Sequence, residues 1–248
     1  MKKTAKTKRK EPFSLYLLAS GKPGKPITEK EFLKITEQDK PFKTSKVSYR
    51  LKDGYIYQGS SQEEIKVIKR LESKDAFVKL RGQCIAIPYR FGGKDHVYYP
   101  DFIVLTKTGK VVIIEVKQIA QMTSKQNQKK YAALGRYCKS RGYLYLMCDK
   151  KLRPYDKIKE SPIKGKVEKE IDRILDEKGC FVYKDYQAMI QGKTRKEVNH
   201  IRDRIGRYVA NHLGEVKQVG DLTYDIKRFR IKLIYRAEPI KLDLTQFM

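Results

Sequence analysis

The 248-residue chain has no tryptophan, only three histidines and four cysteines, and its 29 acidic residues face 56 Lys and Arg. Each shortage removes a class of explanation. Cys84, Cys138, Cys148 and Cys180 form no C-x-x-C pair. Neither a zinc module nor a disulfide scaffold is therefore expected, and a reducing, intracellular setting fits. His96, His200 and His212 are scattered and make no metal or triad spacing. The longest purely aliphatic run is residues 111–114, far short of the ~20 residues a membrane-crossing helix needs. No apolar stretch follows the basic residues at 2–10, so no secretory leader is expected. A membrane-surface helix would carry Trp or Phe on its apolar face, and here the aromatics sit mostly in strand-like segments. What is abundant is positive charge. A net +27 with 40% apolar residues describes a chain that folds and seeks a polyanion, nucleic acid first.

Residues 1–44 read as a basic arm and N-terminal extension, with a Pro- and Gly-punctuated loop at 21–26. Segments 47–51 and 55–57 flank Asp53-Gly54, a hairpin turn signal. Ser61 opens a helix whose apolar face is Ile65, Val67, Ile68 and Leu71. Strand-like runs follow at 84–89, 97–106 and 111–117, the last two joined by a turn at Thr108-Gly109. A polar helix is expected over 124–140, ended by Gly142, and a strand over 143–148. The order helix, three strands, helix, strand over residues 45–153 is that of one mixed α/β layer domain. Beyond Pro154, helices are expected at 167–177, 184–190 and 195–213, then a hairpin at 217–220 and 224–234. Residues 154–236 thus read as a winged-helix-like domain, and 237–248 as a tail.

The sharpest chemistry lies in Pro100-Asp101 and Glu115-Val116-Lys117. Side chains two apart on a strand share a face, so Glu115 and Lys117 point one way. An antiparallel pair turning at Thr108-Gly109 lets Asp101 and Glu115 converge with the Lys117 amine. Two carboxylates suit Mg²⁺, with Mn²⁺ as its substitute, and an adjacent amine offsets developing charge on a phosphate.

These residues, with the element order, resemble the PD-(D/E)xK or restriction-endonuclease-like nucleases. The Ser-x-x-Glu opening and the C-terminal half resemble the TnsA-type transposon-end endonucleases within them. The resemblance implies a mixed sheet flanked by helices and a metal-dependent DNA endonuclease in a transposon, phage or other mobile-element complex. It also implies a further metal-site carboxylate on the first helix, Glu64 or Glu63, of which Glu64 is favoured. Glu64 equally completes a capping box with Ser61. The catalytic set is then Glu64, Asp101, Glu115 and Lys117.

DNA contacts are expected from Lys125, Lys129 and Lys130 on the polar helix. Further contacts are expected from Arg195, Lys196, Asn199 and Arg202 on the last long helix, and from Lys227, Arg228 and Arg230 in the wing. Gly192-Lys193-Thr194 lacks the first glycine and preceding strand of a phosphate loop. The tail mixes Ile240, Leu242, Leu244 and Phe247, as a segment that orders against a protein partner does. Two rival readings stand beside the nuclease. One is a non-catalytic DNA-binding protein on the same fold. The other is a phage packaging, head-completion or defence factor.

Overall fold

A computed structural model of the chain describes residues 13–37, 46–162, 164–212, 216–219 and 232–235. In chain order a 3₁₀ turn at Leu15–Leu17 precedes α1 (Glu29–Ile35), β1 (Val47–Arg50), β2 (Ile56–Gly59) and α2 (Gln62–Ser73). Then come β3 (Lys79–Gly82), β4 (Ile87–Phe91), β5 (Lys94–Tyr98), β6 (Phe102–Leu105) and β7 (Val111–Val116). Next are α3 (Ile119–Met122), α4 (Lys125–Arg141), β8 (Leu144–Cys148), α5 (Tyr155–Glu160) and α6 (Lys166–Lys178). The described chain closes with β9 (Cys180–Val182), α7 (Tyr183–Ile190), α8 (Arg195–Asn211), β10 (Val216–Val219) and β11 (Lys232–Tyr235). Two compact units emerge. The first draws on residues 1–86, 99–114 and 135–146, the second on 87–98, 115–134 and 147–248. The units thus cut across a division in sequence order near residue 153.

In the first unit β1 and β2 pair antiparallel around the expected Asp53-Gly54 turn, where Gly54 takes φ 85°. Ser61 caps α2 by accepting from the Glu64 amide, and α2 buries the predicted Ile65, Val67, Ile68 and Leu71. The main sheet has the order β3-β6-β7-β8. Leu80 faces Val104 across β3 and β6, and Val104 faces Val112 across β6 and β7. Every residue of β7 is buried, as for a central strand covered on both faces.

The first strand of this sheet differs from expectation. It is β3, not residues 84–89, because Gln83 adopts φ 47° and turns the chain out of the sheet. The run 97–106 is likewise two strands, β5 and β6, separated at Pro100, whose ring removes a ladder N–H. Between β3 and β6 the chain makes a separate hairpin, β4 with β5, whose register pairs Ile87 with Tyr98 and Phe91 with Lys94. Its tip is Gly92-Gly93, at φ 59° and 77°.

The second unit contains that hairpin, α3, the first half of α4, and everything after Leu146. Its core packs Ile171, Ile174 and Leu175 of α6 with Phe181, Tyr186, Ile201, Ile205 and Tyr208. Gly179 ends α6 in the left-handed conformation (φ 67°). Thr194 and Glu197 close a capping box at the start of α8. A three-stranded sheet of order β10-β11-β9 pairs Val216 with Tyr235 and Ile234 with Cys180. The expected positions of α6, α7 and α8 carry those helices, β10 lies at the first expected hairpin strand, and of the second, expected over 224–234, only its end falls within the described residues, in β11; β9 and α5 were not legible. The basic arm, the wing residues Lys227, Arg228 and Arg230, and the tail lie outside the described residues.

The packing makes two predictions. Cys84, Cys138 and Cys148 are buried and only Cys180 is partly accessible, while burial pushes the Cys84 and Cys138 thiols up to about 11 and about 12. A thiol reagent near pH 8 should therefore modify one cysteine promptly in the native protein and all four in denaturant. Two or more fast equivalents would contradict the packing. The second concerns Gly206 of α8. A Cβ there would lie 2.5 Å from the Ala120 Cα and 2.8 Å from its amide nitrogen. Alanine gains ~1 kcal/mol of helix propensity, but backbone cannot yield as a side-chain tip can. Gly206→Ala should cost about 1–3 kcal/mol net, seen as a fall of several degrees in Tm. An unchanged or raised Tm would mean that α3 and α8 approach less closely.

Candidate functional site

In the first unit, Asp101 is only 6% exposed and immediately precedes β6. Its carbonyl accepts the Gln83 amide at 3.1 Å, one step beyond the pairing of Gly82 with Phe102. The end of β3 therefore fixes the backbone that carries Asp101. Gln83 was not singled out from the sequence. It is a buried polar residue at positive φ, a conformation that clusters at functional sites. No periodicity announces it, since glutamine seldom adopts that conformation.

Glu64 is 3% exposed and stands at the centre of a hydrogen-bond hub. It accepts from the Tyr57 hydroxyl at 2.5 Å, the Ser60 amide at 3.1 Å, and the Ser60 and Ser61 hydroxyls, each at 2.8 Å. The Tyr57 ring lies where side chains at Gly59 and Gly82 would otherwise stand, at 2.5 and 2.7 Å from the Cβ positions those glycines lack. A carboxylate offers about four lone-pair sites, and here all are used. The expected metal role of Glu64 thus meets a physical obstacle: a cation would have to displace the donors that close β2 onto α2. Glu63, the alternative, is half-buried and pairs with Lys66 at 3.3 Å.

In the second unit, Glu115 is 6% exposed, and its Oε1 lies 2.5 Å from the Lys117 Nζ. The amine also donates to the Val116 carbonyl at 3.1 Å. Strand alternation therefore places Glu115 and Lys117 together, as the spacing requires. The Lys117 amide donates to the Cys148 carbonyl at 2.9 Å, which anchors the end of the β7 segment beside β8. Burial makes an isolated carboxylate costly unless a cation attends it. Lys117 is such a cation for Glu115.

The donor chemistry fits a hard cation. Asp101 and Glu115 offer oxygen only. Among the described residues no group of three or more His, Cys, Asp or Glu side chains is arranged to hold a metal. Mg²⁺ is commonly held by one or two carboxylates, with water and substrate phosphate completing its shell.

The basic residues separate by exposure. Lys125 and Lys129 of α4 are exposed, while Lys130 is half-buried with its amine over the Tyr89 and Tyr98 rings. Arg195, Lys196 and Asn199 are exposed on the first turns of α8, but Arg202 is buried at 7%. Arg202 follows Arg195 and Asn199 along one helical face, but it lies beside Ile201 of the core and is buried there.

Among the described residues no helix is long and apolar enough to cross a membrane. No curated protein matches the chain. Residues 74–149 match the family model described as TnsA-like endonuclease N terminal. That stretch includes Asp101, Glu115 and Lys117 and leaves out Glu64. The likeness to TnsA-type PD-(D/E)xK nucleases therefore holds across residues 74–149, the segment that carries the PD and EVK residues.

Proposed function

We propose that the protein is a metal-dependent DNA endonuclease working within a mobile-element or phage complex. The observation that carries this reading is the ion pair between buried Glu115 on β7 and the half-buried Lys117 just beyond the strand, inside the segment matching TnsA-like endonucleases. Its companion Asp101 directly precedes Phe102, Glu115 directly follows Ile114, and Phe102 and Ile114 are register partners. Asp101 and Glu115 would hold Mg²⁺, or Mn²⁺ in its place. Bound there, the cation supplies charge stabilisation on the phosphate oxygens and acidifies a water. Lys117 pairs with Glu115, orients its carboxylate and offsets negative charge growing on the phosphate. Glu64 serves as a positioning residue, holding the β2–α2 junction through Tyr57 and the two serines.

The second unit supports a DNA-gripping role. Its order α6, β9, α7, α8, β10, β11, with a sheet of order β10-β11-β9, is that expected of a winged helix, and α8 exposes Arg195, Lys196 and Asn199. Such a helix meets phosphates through its cations and bases through Arg and Asn. Residues 237–248 are proposed to engage a protein partner that supplies target choice. A catalytically dead DNA-binding protein is the rival reading. Asp101, Glu115 and Lys117 are all present, which favours an active site.

Asp101→Ala and Lys117→Ala should each lower Mg²⁺-dependent cleavage by about 10²–10³-fold or more, while duplex binding survives. Asp101→Ala should also weaken Mg²⁺ affinity by calorimetry, whereas Lys117→Ala should not. Parent-rate cleavage by either folded variant would rule out the assigned site. Glu64→Gln separates the positioning role from coordination. It leaves an amide where four donors converge and should cost about 1–3 kcal/mol of stability with Mg²⁺ affinity unchanged. A loss of Mg²⁺ affinity at unchanged Tm would return Glu64 to the metal site.

A further inference from the structure

We infer that the β4–β5 hairpin and the first half of α4 form a clamp for the phosphate backbone of a DNA strand. It is distinct from the α8 surface and deepens the nuclease reading, on which it rests. The two elements enclose an open cleft of about 770 Å³, wholly within the second unit. Its lining includes Arg90 and Gly92-Gly93 from the hairpin and Lys125, Gln128 and Lys129 from the helix.

Three features suit it to a strand of phosphates. The first is charge: Arg90, Lys125 and Lys129 are all exposed cations, and the lining contains no Asp or Glu. A concave surface of one sign concentrates its field, and cations of this kind release counterions when they meet phosphates. The second is bracing. Gln126 donates to the Tyr89 hydroxyl at 2.9 Å, and the Lys130 amine sits 5.8 Å from the centres of both the Tyr89 and Tyr98 rings. These contacts tie the hairpin to α4, so the cleft walls are set before a ligand arrives. The third is access. Nothing lies within 4 Å of where a Cβ would stand on Gly92 or Gly93, so no side chain blocks a strand approaching the hairpin tip, where Arg90 donates to the Gly93 carbonyl at 3.4 Å. Cations set this way position a duplex without reading its bases.

The occupant follows from this chemistry. A small apolar ligand finds no enclosed wall here, and an acidic peptide would leave the unadorned glycine tip unused. A polyanion of regular spacing meets charge on both walls and an unblocked glycine tip between them.

The test measures how duplex binding by the full chain depends on salt, with chelator present to prevent cleavage. Arg90→Gln and Lys129→Gln remove charge at exposed positions. Lys94→Gln removes equal charge from the same hairpin outside the cleft and serves as the control. Each cleft variant should flatten the plot of log K against log salt by about 0.9 for every phosphate it no longer neutralises, and the control should leave the slope at the parent value. Parent slopes in both folded cleft variants, or equal flattening by Lys94→Gln, would overturn the clamp. In that case the parent's binding and cleavage would leave the nuclease reading standing. Absence of salt-dependent binding by the parent would sink both.

Discussion

The second unit hangs on a place where two backbones nearly touch. Gly206 of α8 sits against Ala120 of α3 so closely that no side chain fits between them. α3 begins two residues after Lys117, so the element seated by this contact continues directly from the strand bearing Glu115 and Lys117. Further bonds hold α8 along its length. Tyr208 donates to Asp172 of α6 at 2.7 Å, and Asn211 donates to the Ile158 and Lys159 carbonyls of α5 at 2.8 and 2.7 Å. A carboxylate and an amine that must stay in one geometry gain from a support of this stiffness, because small displacements at a reacting centre are costly.

The first unit solves a comparable problem with polar groups. Glu64 is buried yet fully hydrogen-bonded, and its partners come from β2, the turn after it, and the cap of α2. Such a hub is stable because every lone pair is used, and removing any one donor leaves a buried charge short of partners. Its position on the first helix, where the family resemblance implies a metal-site carboxylate, makes it readable from sequence in two ways. Ser60, Ser61 and Tyr57 favour the structural reading, and of these only Ser61 stands at a capping spacing legible in the sequence.

Elements with strong periodicity and a distinct stop were legible. α6 with Gly179, α8 with its Thr194–Glu197 cap, and the buried run of β7 stand close to where the pattern puts them. The strand that fixes Asp101 was not. β3 reads Lys-Leu-Arg-Gly, with one buried aliphatic residue, and its membership in the sheet is settled by its partner β6 rather than by its own composition. Residues 84–89 carried the stronger strand signal and went to the hairpin instead. The pairing of Glu115 with Lys117 was readable because a two-residue strand spacing is a local fact. The burial of Arg202 was not, because its spacing puts it on the same helical face as Arg195 and Asn199 and gives no sign that it is covered.

The hairpin at 87–98 also bears on how such chains can be compared. The main sheet pairs Gly82 with Phe102, so its register is closed on either side of the excursion and does not depend on the excursion's length. Lengthening a flexible connection costs little, about 0.6 kcal/mol for each doubling. The number of residues between the first core strand and the Pro-Asp pair is therefore free to drift among related chains, while the span from Asp101 to Glu115, threaded through two paired strands and a tight turn, is not. An alignment that scores both intervals alike will mistake a tolerated insertion for a different fold.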